Sequence, residues 1–321
     1  MEDQGRGDAR WTADEDALTD AARVADEDAL PDAWRVADDS AQAADVTVTD
    51  LHGPAAMDAA RDVFDQVWGR GGARGAVLPT EALVAIGHAG GQVSGAWRGE
   101  QLVGATAAFL GRGGDGRALL HSHVTAVVPG AEGRAVGRAL KWYQRAWCLE
   151  RDVPEVRWTY DPLIRRNAVF NLVVLGARVT GFGQDVYGPM DDDRNAGAPT
   201  DRLWIVWELL APRVRSAASG RAAAPDVAAL RRAGAEVALD EDVDGQPLRH
   251  TVSGRRRLVR VPADIEGLRR EHPAAAAAWT AAYRAVLGGL LADGYRVTGA
   301  TRDGWYVLAA DRGVDELAGR P

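Results

Sequence analysis

The 321-residue chain is 46% hydrophobic and 26% charged, a balance that supports a globular core larger than one small domain needs. Its formal net charge is −8, but residues 1–45 hold fourteen Asp/Glu against four Arg, so the rest of the chain is at +2 and lacks the broad cationic surface that duplex nucleic acid requires. No run of consecutive apolar residues approaches the roughly 18 of a membrane span, no basic-then-apolar leader opens the chain, and the lone Cys148 excludes an intrachain disulfide; the expectation is a cytoplasmic protein with no membrane partner.

Residues 13–26 are echoed imperfectly by 25–38. Two short acidic copies are too few to stack into a solenoid, and the composition of 1–45 predicts a disordered or weakly helical extension, able to dock through Trp11, Leu18, Leu30 and Trp34. Alternation then predicts a strand over 46–51. Residues 57–68 read as a helix with Ala60, Val63, Phe64 and Val67 on one face, and 79–86 as a second helix. Residues 92–97 and 101–110 form a hairpin across Arg98-Gly-Glu, and 119–128 is a fourth strand. A glycine-bearing turn leads into a helix over 136–151 that buries Val136, Leu140, Tyr143 and Trp147, with Cys148 as a core thiol. Next come a strand at 156–160, a short helix over 166–175 ended by Gly176, and strands at 178–187 and 203–209. Residues 212–225 read as a linker. Beyond it lie a strand at 257–261, a long helix over 263–292 and a hairpin of 295–301 with 305–308. The chain is therefore of the α/β (α+β) class, with a main domain at 46–211 and a smaller α/β extension at 226–321.

The stretch from His121 to Lys141 carries the chemistry. Backbone N–H groups at a helix start have no intrahelical acceptor and the helix dipole favours negative charge there, so a strand, glycine turn and helix in this order suit a phosphate. The same order also serves as a plain structural junction. His121 and His123 share strand parity and face one side, with Thr125 a step nearer the turn. They read equally well as a hydrogen-bonded core pair or as bases at neutral pH. As metal ligands they lack a third partner at a convincing spacing, so no metal is expected.

His121-Ser-His123, Asp161-Pro-Leu163, Arg166-Asn-Ala168, Phe170-Asn171, Leu175-Gly-Ala177, Asn195-Ala-Gly197 and Pro199-Thr-Asp-Arg202 occur in order. With them the chain resembles the GNAT family of N-acyltransferases, most closely a poorly characterised bacterial group, over nearly everything except the tail and linker. The resemblance implies a mixed, mostly antiparallel sheet flanked by helices, whose fourth strand splays from the fifth to admit acyl-coenzyme A. It implies pantetheine contacts at Ala126, Val127 and Val128 and an oxyanion amide near Val127 or Val128. The pyrophosphate would sit on Gly133, Arg134, Ala135, Val136, Gly137 and Arg138, with Asn167 nearby. The family's loop pattern fits in two registers, and counting from Pro129 favours the one starting at Glu132, which puts a carboxylate where the family has a cation or amide and alanine where it has its middle glycine. The position of the family's thiolate-protonating tyrosine is Leu172, which leaves Tyr160 or Tyr187 as substitutes, beside His121 or His123 as base. Thr125 and Asn171 would contact the acceptor.

The implied activity is transfer of an acetyl or other short acyl group from acyl-coenzyme A to the amine of a small, amino-acid-like acceptor, with a homodimer allowed. Two alternatives stay open: a catalytically silent acyl-coenzyme A-binding or interaction module, and a transferase that takes its acyl group from a carrier protein or an aminoacyl-tRNA.

Overall fold

The computed structural model describes residues 29–69, 77–188 and 198–310. Among these, the main sheet has seven strands: β1 (Thr47–Asp50), β2 (Gln92–Arg98), β3 (Gln101–Arg112), β4 (Ala118–Val127), β5 (Glu155–Tyr160), β6 (Arg178–Gly183) and β7 (Arg202–Glu208). They lie in the order β1-β2-β3-β4-β5-β7-β6. Every neighbouring pair is antiparallel except β4 with β5, so the sheet is of the mixed, mostly antiparallel kind that the resemblance implied. The first copy of the repeat (13–26) and the Trp11 and Leu18 anchors lie outside the described residues, as does Asn195-Ala-Gly197.

Helices cover both faces. On one side α2 (Gly53–Trp68) and α3 (Thr80–His88) bury Met57, Phe64, Leu83 and Ile86 against β3 and the far half of β4. On the other, α4 (Val136–Glu150) lies along the sheet and buries Leu140, Trp142, Trp147 and Cys148. Of the extension expected up to residue 45, residues 29–43 form the helix α1 (Ala29–Ala43), docked through Trp34 as the helical alternative allowed and not disordered. Ala33, Val36, Ala37 and Ser40 form its buried stripe, and Trp34 meets Tyr143 of α4 edge to face at 5.3 Å. The acidity that suggested disorder is spent on the outer face, where Arg35 pairs with Asp32 and Asp39 at 2.6 and 2.9 Å.

The expected linker at 212–225 is also corrected, because its first half is α6 (Pro212–Ala218). Proline starts it, and Val214 is fully buried against the turn at Gly176, where an added Cβ would lie 2.7 Å from the Arg213 carbonyl oxygen. After α7 (Val227–Arg232) a second sheet is built from β8 (Glu236–Glu241), β9 (Pro247–Arg249), β10 (Arg256–Arg260), β11 (Tyr295–Ala300) and β12 (Trp305–Ala310), ordered β11-β12-β10-β8-β9.

The single helix expected over 263–292 is interrupted. α8 (Ile265–Glu271) ends at His272, Pro273 restarts the chain as α9 (Pro273–Tyr283), and a π-helical stretch over Arg284–Gly288 leads into α10 (Gly289–Ala292). The proline cannot donate its amide to continue the first helix. By length and composition the run Pro273–Ala292 would suffice to cross a membrane, although polar residues interrupt its apolar ones. Here it supplies core, with Trp279, Tyr283 and Leu287 buried.

One hydrophobic cluster runs through both sheets, from Trp158 and Trp207 to Tyr283 and Tyr306. Tyr160 donates to the Tyr306 hydroxyl at 3.0 Å, and Tyr306 donates to the Pro162 carbonyl at 3.0 Å. Beside them Asp161 and Arg269 form an ion pair of 2.7 Å in which each side chain is only 7% and 6% exposed. The C-terminal sheet thus clamps the end of β5 from which the candidate site opens.

Candidate functional site

β4 and β5 pair at only two positions, Leu120 with Val156 and His121 with Arg157. Past them the strands part: residues 122–127 of β4 have no β5 partner, nor have residues 158–160 of β5 a β4 partner. An opening is left between two parallel strands, with Ser122 and Trp158 as the first residues beyond its apex.

A bulge sits at that apex. Ala107 of β3 pairs with Val124 and Ala108 with Ser122, leaving His123 unmatched. An extra residue of this kind slips the side-chain alternation by one. Ser122 faces α4, where it accepts a hydrogen bond from Lys141 at 2.7 Å. Thr125 also faces α4: it bonds Thr106 at 2.8 Å, and Thr106 lies two residues from Gly104, whose missing side chain makes room for Val136 and Leu140. His121 and His123 face the other way, with ring centroids 6.1 Å apart and Phe109 edge-on to His123 at 5.5 Å. The expectation that Thr125 shares the histidines' face is therefore corrected; regular alternation through 121–125 fails at the bulge.

On the histidine face, Arg157 and Thr159 of β5 continue the surface, and Thr159 shares a 2.8 Å hydrogen bond with the exposed hydroxyl of Tyr187. Arg202 lies over the Tyr187 ring at 5.4 Å. Desolvation lowers the pKa of His121, helped by His123 and Lys141, and desolvation likewise lowers that of His123. Both are therefore neutral at pH 7 and able to accept a proton.

At the far end β4 ends in the turn 128–135. Ala135 caps α4 with φ 63° and ψ 10°, a left-handed conformation, and no side chain caps the helix. The frame beginning at Glu132 thus puts alanine at the backbone position that glycine suits, and Gly137 is already the second residue of the helix. A left-handed non-glycine residue costs roughly 1–2 kcal/mol, so Ala135→Gly is expected to raise stability by about 1 kcal/mol, read from the denaturant midpoint at constant m-value. The amides of Val136, Gly137 and Arg138 stand at the first turn, where helix geometry offers them no partner, and the Nε of Arg138 is buried with no hydrogen bond.

Other expectations change. The Val128 amide donates to the Val103 carbonyl at 3.0 Å, which removes it as an oxyanion donor; His123, with no register partner in β3 or β5, lies beside the apex. Ala126 is buried toward α2 and α3, whereas Val127 turns to α4 near Gly137. Tyr160 is enclosed by the C-terminal sheet, its hydroxyl already donated to Tyr306 and its pKa raised by burial, so it is no proton donor to the opening. Asn171 is buried and accepts the indole N–H of Trp158 at 3.2 Å, a support rather than an acceptor contact. Asn167 is half-buried on α5 (Arg165–Val169). Gly133 has φ 75° in the exposed turn beside exposed Arg134. Cys148 is fully buried with its thiol pKa raised by desolvation, as a core thiol should be.

Arg166 forms a two-pronged ion pair with Glu266, which raises its pKa, and the Glu132 carboxylate, expected to repel a pyrophosphate unless paired, adds a smaller contribution in the same direction. Because Glu132 is exposed and its charge is screened by solvent, Glu132→Gln is expected to tighten coenzyme A binding only a few-fold in calorimetry, within the ~1 kcal/mol of exposed pairs. Arg166 also borders a cavity of about 570 Å³ between α5 and residues 263–266 of the C-terminal region.

Sequence reading missed Lys141. It is the chain's sole lysine, against 37 arginines, and that scarcity was the available signal. Its ammonium is buried at the apex, donating to Ser122 at 2.7 Å and Gln144 at 2.9 Å, 4.3 Å above the Trp158 ring. Gln144 in turn donates to Gln92 at 2.8 Å.

No family model matches this chain, and no curated protein does. Among solved structures, the ribosomal-protein-S18-alanine N-acetyltransferase of Escherichia coli is 13% identical with a TM-score of 0.38, over 51% of this chain and 94% of that one. A GNAT superfamily phosphinothricin acetyltransferase from Sinorhizobium meliloti is 14% identical with a TM-score of 0.39, over 50% and 87%. An N-acyl amino acid synthase from uncultured soil microbes is 15% identical with a TM-score of 0.37, over 53% and 94%.

Proposed function

We propose that the chain is an acyl-coenzyme A-dependent N-acyltransferase that acylates the amine of a small, amino-acid-like acceptor. The observation that carries this reading is the opening between two parallel strands that leads from the bulge at His123 to the bare first turn of α4. Its shape suits a long donor. Strand backbone without a β5 partner can pair with the amides of a pantetheine arm, and the Val136, Gly137 and Arg138 amides can take a pyrophosphate. The cavity beside Arg166 leaves room for the nucleotide end.

The donor substrate supplies a thioester, whose carbonyl is open to attack by an amine. His121 or His123, neutral and on the face opposite α4, takes the proton that the amine must lose. Backbone amides at the bulge, beside the apex, would stabilise the developing oxyanion. Phe109, Thr159 and Tyr187 give the acceptor a mixed aromatic and polar wall on the same face.

The test is calorimetry with coenzyme A and acetyl-coenzyme A, followed by thioester consumption over a panel of amines and amino acids. Binding with turnover supports the reading. Tight binding with no turnover would make the chain a silent module, and no binding would turn attention to carrier-protein or aminoacyl-tRNA donors.

A further inference from the structure

We propose that Lys141 is the acid that protonates the departing thiolate, in place of the tyrosine that Leu172 replaces. The proposal rests on the reading of the opening as a donor site and adds a residue to it.

Three observations converge on this side chain. The first is position. Ser122 and Trp158 are the first residues past the last β4–β5 pair, and the Lys141 ammonium lies between them. From Val127 back to Ser122 is five strand residues, about 16 Å at ~3.3 Å each. An extended pantetheine arm held by its pyrophosphate at the α4 first turn runs down this length toward the apex with its sulfur leading.

The second is chemistry. The chain uses arginine 37 times and lysine once, and the one lysine occupies this buried position. A guanidinium cannot release its proton in a protein, whereas a buried ammonium can. Its oxygen partners, Ser122 and Gln144, are both neutral. Among the described residues, the titratable groups that act on it are Cys148 on its own helix and His121 across β4; Arg145 is turned away to the Leu209 carbonyl at 2.9 Å. Burial brings the Lys141 pKa down to about 7, below the ~8.5 of an ordinary thiol, so proton transfer from ammonium to thiolate runs downhill.

The third is support. Trp158 is fixed from behind by Asn171, and Gln144 is fixed by Gln92. The ammonium is therefore held by side chains that are themselves anchored.

In the step itself the amine nitrogen forms its bond to the acyl carbon and loses its proton to His121 or His123. The C–S bond breaks, its electron pair goes to sulfur, and one Nζ proton moves to sulfur. Neutral Lys141 then recovers a proton from solvent, which also takes the histidine's.

A single lysine makes the test direct. In protein labelled at the lysine side chain, the one resonance reports Lys141 and its titration. Coenzyme A is expected to shift that titration by at least one pH unit, and desulfo-coenzyme A to leave it near its ligand-free position. In turnover, kcat of the native chain is expected to fall as pH rises through the Lys141 pKa, since the ammonium is the active form. Lys141→Met should lose about 100-fold or more in kcat, with the KM for the donor little changed and the alkaline limb gone. Lys141→Arg keeps a cation, guards against misfolding and should lose activity similarly. Near-native kcat in the arginine variant would overturn the proposal, as would equal responses to coenzyme A and its desulfo analogue while both bind. Failure of both ligands to bind would instead overturn the donor site, and this proposal with it.

Discussion

Gly137→Asp is expected to abolish donor binding while leaving the fold intact or slightly more stable. Gly137 is the second residue of α4, and an added Cβ there meets nothing nearer than a Val127 methyl at 3.8 Å. The new carboxylate would stand among the amides assigned to the pyrophosphate. At an effective dielectric of ~20, two unit charges about 4 Å apart repel by about 4 kcal/mol, so coenzyme A affinity should fall by about 100-fold or more. The same carboxylate at a helix start contributes about 0.3–1 kcal/mol to the helix. Calorimetry and a thermal melt should thus move in opposite directions, and unchanged affinity would remove the pyrophosphate from this turn.

Arg269→Met should be the most damaging single change to stability. It keeps the bulk of the side chain but leaves the Asp161 carboxylate buried at the end of β5 without its partner. Asp161 still accepts the Leu163 amide at 2.9 Å, which is too little to hold a buried charge. Removing one member of such a pair costs about 3–5 kcal/mol, measurable as a drop in denaturant midpoint. Adding Asp161→Asn to it should recover part of the loss, because the stranded charge goes. A loss below about 1 kcal/mol would mean the pair is solvated.

The sheet was legible because its strands alternate and its hairpins carry glycine at the turns; the β2–β3 connection at Gly99 is an instance. Helix α1 was hidden by its acidity, since its apolar face is built mainly of alanines whose value lies in close approach to α4. Long-range partners were out of reach. Tyr160 reads as an available hydroxyl until Tyr306, 146 residues away, is seen to occupy it. In the site, the imidazoles and the phosphate turn announce themselves by residue type. The bulge does not, because His121-Ser-His-Val-Thr125 alternates smoothly on paper and only the register with β3 reveals the slip. Lys141 sits on a helix whose apolar periodicity drew attention to its neighbours, and only the count of lysines would have singled it out.

That one-residue slip in β4 also separates two jobs along a single strand. Residues before it turn His121 to the face opposite α4, the proposed acceptor side, while Thr125 and Val127 after it look toward α4, the helix proposed to hold the donor. Exchanging Phe109 or Tyr187 would reshape the proposed acceptor wall and leave the proposed donor seat untouched. A lineage built on this chain could therefore drift from one amine to another by surface changes on one side of the sheet, with its acyl donor held constant throughout.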